Sequence, residues 1–187
     1  MEKLFIFAVD DVLLDTVASM RSFFSIYYSI SLNDYEWQNA LTDIIKYPKK
    51  YQDFIEYYTH TKAYTYPAPF SGMYNFIVKL KQQGFATFAI DMCHPDISSE
   101  RILHLQECYP SVFDFISICN SVAHPKPVVH NIIREYQQTY LLDVNPQLLR
   151  FYSDVVTHPI WKENSTYRFM YDELPTTNIK KVGNIFE

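Results

Sequence analysis

The chain has 187 residues, 48% hydrophobic and 17% aromatic, enough for one globular domain with a real core. A formal net charge of −5 gives no electrostatic reason to bind nucleic acid or an anionic membrane. The apolar runs fall far short of the ~20 residues of a membrane span, and three glycines (Gly72, Gly84, Gly183) cannot build a glycine-rich phosphate loop. Cys93, Cys108 and Cys119 are odd in number and lack metal-finger spacing, so they read as reduced, buried thiols. The opening residues lack a basic region followed by a cleavage site, and a cytoplasmic protein is expected.

In chain order, Lys3 to Val9 is an apolar run that stops abruptly at Asp10 and Asp11. Such a run reads as a strand covered by helices on both faces, with its terminal carboxylates at the mouth of a site. A helix follows from Thr16 to about Ile30, with Val17, Met20, Phe24, Tyr27 and Tyr28 at helical spacing. Asn33 and Asp34 offer an N-cap for a helix over Tyr35 to Ile45, and Pro48 opens another from Lys49 to about His60. Residues 16–65 carry no strand signal and read as a helical insertion, whereas 1–15 and 66–187 form the α/β core.

Tyr66-Pro67-Ala68-Pro69 marks the return to that core. A helix carrying Met73, Phe76, Ile77 and Leu80 ends at Gly84, and Phe85 to Ile90 is the second buried strand. A helix from Ser98 or Ser99 to Cys108 precedes a third strand over Phe113 to Ile118. Val128 to about Tyr140 reads as helix and Leu148 to Tyr152 as a fourth strand ending at Ser153-Asp154. A weak helix is expected near Pro159, and Tyr167 to Tyr171 as a fifth, edge strand. This alternation predicts a doubly wound parallel sheet of about five strands.

The opening stretch Phe7-Ala8-Val9-Asp10-Asp11-Val12-Leu13-Leu14-Asp15-Thr16 resembles the first motif of haloacid dehalogenase-like (HAD) phosphohydrolases, D-x-D-G-[TV]-L-x-D-[ST]. Pro69 to Ile90 is similar to that family's P-x-x-G, helix, glycine and strand unit. The resemblance implies a Rossmannoid core with a helical cap inserted after the first strand. It also implies a carboxylate nucleophile, an aspartate acid/base, a hydroxyl and a lysine on phosphate, and magnesium on oxygen ligands.

Laid on that pattern, Asp10 takes the acid/base position, but Ala8 takes the nucleophile's and has no nucleophilic atom. Asp91 falls near the phosphate-binding hydroxyl, where its charge would repel phosphate. His124 takes the lysine's place in one register, and Lys126 does so two residues on. Asp154 matches the first acidic residue at the fourth strand end, and His158 the second. A metal set of Asp154, Asp10 and His158 is what the resemblance leaves for magnesium. Asp10 reads about evenly as a site carboxylate or a turn cap, whereas Asp15 and Thr16 read as helix-capping residues.

Losing a nucleophile that works as part of a unit costs on the order of 10⁴–10⁶ in rate. The sequence therefore favours a HAD-like pseudophosphatase that binds a small phosphorylated ligand or a protein partner, with a homodimer as one form. The alternative is an active magnesium-dependent phosphohydrolase on a small phosphorylated metabolite or nucleotide. No resident cofactor is expected under the first reading. A transition metal held by His94, His124 and His158 with Asp10, Asp91 and Asp154 is disfavoured, because these histidines lack tight ligand spacing. The insertion carries eleven large aromatics, Phe23, Phe24, Tyr27, Tyr28, Tyr35, Trp37, Tyr47, Tyr51, Phe54, Tyr57 and Tyr58, many for so small a unit to bury.

Overall fold

The computed structural model describes residues 2–119, 125–164 and 179–183. Its centre is β1 (Lys3–Ala8), whose residues are buried from Leu4 to Phe7. β1 pairs in parallel with β2 (Phe85–Met92) on one side and β4 (Gln138–Asp143) on the other. β3 (Phe115–Cys119) lies outside β2, and β5 (His158–Lys162) then β6 (Lys180–Val182) lie outside β4. The order is β3-β2-β1-β4-β5-β6, a parallel six-stranded sheet flanked by helices.

Alternation along β1 divides the core in two. Phe5 and Phe7 join Met73, Ile77 and Leu80 of α5 (Met73–Gln82) and Leu105 of α6 (Ser98–Cys108). Leu4 and Ile6 point the other way, to Val129 and Ile133 of α7 (Pro125–Ile133) and Leu149 of α8 (Pro146–Tyr152). A strand covered on both faces needs apolar residues at every position, which is why its sequence shows no polar break.

Between β1 and α5 the chain forms α1 (Thr16–Tyr27), α2 (Asp34–Lys46), a 3-10 turn at Pro48–Tyr51, α3 (Gln52–Thr59) and α4 (Lys62–Thr65). Asn33 and Glu36 form a capping box on α2, and α1 and α2 begin close to where helical spacing placed them. These helices have their own core, Phe24, Trp37, Leu41, Ile44, Phe54, Tyr58 and Tyr64, which also takes in Cys93 and Ile97 from beyond β2. Of the eleven aromatics, Phe24, Trp37, Phe54 and Tyr58 are buried, while Tyr27, Tyr28, Tyr35, Tyr47 and Tyr57 are exposed.

The carboxyl-terminal third departs from the sequence reading. Leu148 to Tyr152 belongs to α8, because Asn145 caps the helix through Gln147 N and Pro146 occupies its first turn. The fourth strand is instead Gln138–Asp143, placed by the sequence in a helix and the loop after it. Pro159 lies within β5, not at the start of a helix. The edge strand expected over Tyr167 to Tyr171 lies outside the described residues, and β6 comes from the polar tail.

The turn after β1 is held from several directions. Leu13 and Leu14 donate to Val9 O, and Phe70 N and the buried Tyr109 hydroxyl both donate to Leu13 O, the latter at 2.6 Å. Lys162, at the end of β5, donates to Asp11 O at 3.0 Å and sits over the Phe70 ring. Tyr109→Phe removes one of two bonds to Leu13 O. It is expected to cost about 0.5–1.5 kcal/mol in urea unfolding, and an unchanged midpoint would show that the turn holds without it.

Candidate functional site at the strand ends

The carboxyl ends of β1, β2 and β4 converge where a ligand would bind in an open parallel sheet. Ala8 ends β1 and lies in register with Ile90 of β2. Asp91 follows within β2, which runs two residues further than the apolar pattern alone indicated. Asp143 ends β4 beside β1.

The turn delivers its carboxylates to different tasks. Asp11 has a φ of 59°, in the left-handed region that aspartate tolerates better than most residues. It is buried and accepts from Val17 N at 2.9 Å, while Asp15 accepts from Ala18 N at 3.0 Å. Both therefore satisfy free N–H groups at the start of α1. Asp10 faces the site: its Oδ1 accepts from Thr16 Oγ1 at 2.6 Å and from Arg101 Nη2 at 2.8 Å.

Arg101 is fully buried and fills the space between the ends of β1 and β2. Its Nε donates to Asp91 Oδ2 at 2.8 Å, its Nη2 to Asp91 Oδ1 at 3.1 Å, and its Nη1 to Tyr64 O at 2.6 Å. One guanidinium thus joins both carboxylates to the backbone of α4, with the Tyr64 ring 4.9 Å from its central carbon. Burial works against the Arg101 charge, yet Asp10 and Asp91 hold its pKa above the ordinary value. Burial pushes the Asp91 carboxyl up to about 6, against the opposing pull of Arg101.

On the other side of β1 the described residues leave little space. A small cavity of about 30 Å³ is lined by Ala8, Ile90, Met92, Leu141, Asp143, Leu148 and Tyr152. That volume holds one or two waters and no phosphoryl group. The Tyr152 hydroxyl is buried with no hydrogen-bond partner among the described residues. Asp143 accepts from Asn145 N at 2.9 Å, and burial pushes its carboxyl up to about 7, against those backbone N–H groups.

The structure thus brings Ala8, Asp10 and Asp91 together, as their strand positions required. It does not bring Asp154 or His158 to them. Asp154 follows α8 and ends no strand, because the residues before it are helical. His158 is the first residue of β5, level with Tyr140 and stacked on it at 4.5 Å, toward the opposite end of the sheet. His124 lies outside the described residues, and Lys126 falls in the first turn of α7. His94 is exposed beyond β2.

Sequence reasoning passed over Arg101 and Asp143. Asp143 carried a usable signal, since Tyr140-Leu141-Leu142-Asp143 repeats the apolar run that stops in a carboxylate. Arg101 lies four residues before buried Leu105, on the same helix face, where an arginine needs buried partners. The donors present do not fit magnesium. Ala8 supplies no side-chain oxygen, Asp10 Oδ1 is committed to Arg101 and Thr16, and burial raises the Asp143 carboxyl to about 7, which disfavours the charged form a cation would need.

No protein-family model matches the chain, and no curated protein matches it by sequence. Solved structures do. A hydrolase from Streptococcus pneumoniae superimposes with a TM-score of 0.60 at 14% identity, over 92% of this chain and 98% of that one. The HAD-hydrolase candidate YfnB from Bacillus subtilis, bound to magnesium, gives 0.63 at 14% identity over 99% and 96%. CbbY from Rhodobacter sphaeroides, in complex with xylulose-1,5-bisphosphate, gives 0.61 at 14% identity over 97% and 94%. The fold is that of the haloacid dehalogenase-like hydrolases, and at these identities the likeness is one of fold.

Two predictions follow from the buried charges. Arg101→Met strands Asp91 without a partner and is expected to cost about 3–5 kcal/mol. Asp91→Leu combined with Arg101→Met is expected to cost less than Arg101→Met alone, a sign that a non-ionic pairing would reverse. Asp143 holds a proton in the folded state that the unfolded chain releases above about pH 4. The folded state then binds more protons, so this contribution to stability is full at low pH and is lost as pH rises through about 7. Asp143→Asn is expected to flatten that decline in unfolding free energy between mildly acidic and mildly alkaline buffer.

Proposed function

We propose that this chain is a catalytically silent protein of the HAD fold that acts by binding, with α1–α4 forming a cap over the strand ends. One observation carries the reading: Ala8 ends β1 against a cavity of about 30 Å³, while Arg101 occupies the neighbouring space between Asp10 and Asp91. A phosphoryl transfer needs a nucleophile, room for the phosphoryl group and its leaving group in line, and free cations on the equatorial oxygens. Here position 8 carries no nucleophilic atom, the described residues leave only a small cavity beside it, and the Arg101 guanidinium is held by two carboxylates.

A surface cleft of about 320 Å³ runs between α1 and the 63–68 segment, lined by Ala18, Ser19, Phe23, Ile26 and Tyr66, with Asp15 at its edge. Its apolar lining and its aspartate favour an apolar segment of a protein partner over a phosphorylated ligand. Ile26, 74% exposed, extends this apolar surface out of the cleft.

Assay of the purified protein with p-nitrophenyl phosphate and a panel of nucleotides and sugar phosphates, with magnesium, is expected to give no turnover above background. Turnover that disappears in Asp10→Asn would establish the active phosphohydrolase instead. Ala8→Asp is expected to leave the protein inactive, because Arg101 still fills the adjoining space. It should also lower stability by about 1–3 kcal/mol, since it places a carboxylate in a small apolar cavity. Family-like rates from that one change would overturn the reading.

A further inference from the structure

One histidine weighed from the sequence, His94, acquires a partner through the fold in His60, which the sequence reading did not single out. His60 caps the end of α3, and His94 follows β2 at the start of a 3-10 turn, Pro95–Ile97. Their rings lie 4.8 Å apart between centroids, tilted by 51°. Asp96 is beside them, with Oδ2 at 3.5 Å from His94 Nδ1. One ligand atom from each of His60, His94 and Asp96 lies within 4.8 Å of the others, and all three residues are exposed. We propose that His60, His94 and Asp96 form a binding site for a borderline divalent transition metal, zinc above all, that ties the end of α3 to the end of β2.

The donor chemistry selects the metal class. Two imidazoles and one carboxylate suit zinc, cobalt(II) or nickel(II) and do not suit magnesium or calcium, which prefer all-oxygen shells. Bonds of ~2.0–2.1 Å in tetrahedral zinc place ligand atoms roughly 3.4 Å apart. The His94–Asp96 pair is already at that separation, and His60 has to close by about an ångström, which an exposed side chain can do by torsion.

The surroundings prepare one ligand in particular. His60 Nδ1 lies 2.7 Å from Glu56 O, and a carbonyl only accepts, so Nδ1 carries the proton and Nε2 keeps its lone pair. A backbone carbonyl on the far nitrogen is the usual orienting contact of a metal-bound histidine. His94 Nδ1 accepts from Asp96 N at 3.3 Å, a long bond that metal would displace. The fourth position is open to water. The site is separate from the strand-end cluster, and it bridges the α1–α4 block and the end of β2 beside the apolar contact that Cys93 and Ile97 make with that block.

The test uses the full, untagged chain and two probes, zinc by calorimetry and cobalt(II) by its visible ligand-field absorption. One metal per chain is expected, with micromolar affinity and a tetrahedral or five-coordinate cobalt spectrum. His60→Gln and His94→Gln should each weaken binding by at least ~10-fold, and Asp96→Asn should weaken it measurably. His104→Gln, remote from the site, should not change it. Zinc should raise the melting temperature of the unmodified protein and not that of His60→Gln, because a ligand bound only by the folded state stabilises it. His60, His94 and Asp96 are exposed, so their variants keep their fold, and far-ultraviolet circular dichroism checks this for them and for the partly buried His104. Absence of saturable binding, or binding unchanged in both histidine variants, would overturn the proposal.

Discussion

The carboxyl end of this sheet depends on one buried guanidinium. Asp91 is fully enclosed, and an enclosed carboxylate without a partner would either take up a proton or destabilise the fold. Arg101 supplies the partner from one turn into α6, and its remaining donors then need acceptors of their own. Asp10 and the carbonyl of Tyr64 provide them. Each member therefore requires the next, and the cluster ties β1, β2, α4 and α6 to one point. A hydroxyl at position 91 would leave Arg101 with a free donor set at the mouth of the site. With aspartate there, the arginine is consumed internally.

This cluster also sets how the helical insertion meets the sheet. Tyr64 accepts from Arg101 through its carbonyl, donates its hydroxyl to Met92 O at 3.3 Å, and lays its ring against the guanidinium. Tyr58 donates to Thr16 O, and Thr16 in turn donates to Asp10. The chain of contacts runs from the aromatic core of these helices into the strand-end carboxylates. A cap that opens and closes over a substrate has to exchange its contacts with water cheaply. Here separating α4 from the strand ends would uncover the buried Arg101 and Asp91 and break the Tyr64 contacts, which is costly.

How much of this was legible in the sequence follows from the kind of signal each part carries. Residues Lys3–Val9 and Met73–Ile90 were legible because burial on both faces leaves an uninterrupted apolar run, and because Gly84, at a φ of 84°, marks the helix end. The fourth strand was not. Leu148 to Tyr152 has a strand-like composition, but Asn145 and Pro146 supply a helix start that outweighs it, while Tyr140-Leu141-Leu142 is too short to outvote the helix before it. The site was legible only in part. Ala8 and Asp91 could be placed from one strand each, whereas the pairing of Asp91 with Arg101 depends on how α6 packs back on β2. The same limit applied to the histidines, since His60 and His94 are 34 residues apart and meet only through tertiary packing.

The two sides of β1 show why the changes at this end belong together. Toward α6, charge is retained and internally neutralised. Toward α8, charge is avoided: Ala8 is small, Leu141, Leu148 and Ile90 close the space, and Asp143 is pushed toward its protonated form. A carboxylate at position 8 would stand between these regions. It would compete with Asp10 and Asp91 for one guanidinium on one side, and raise the charge density beside Asp143 on the other. With a single cation already shared by two carboxylates, a third has no partner among the described groups. An alanine at the end of β1 is compatible with this arrangement of charges, whereas a carboxylate there would have to compete with Asp10 and Asp91 for Arg101.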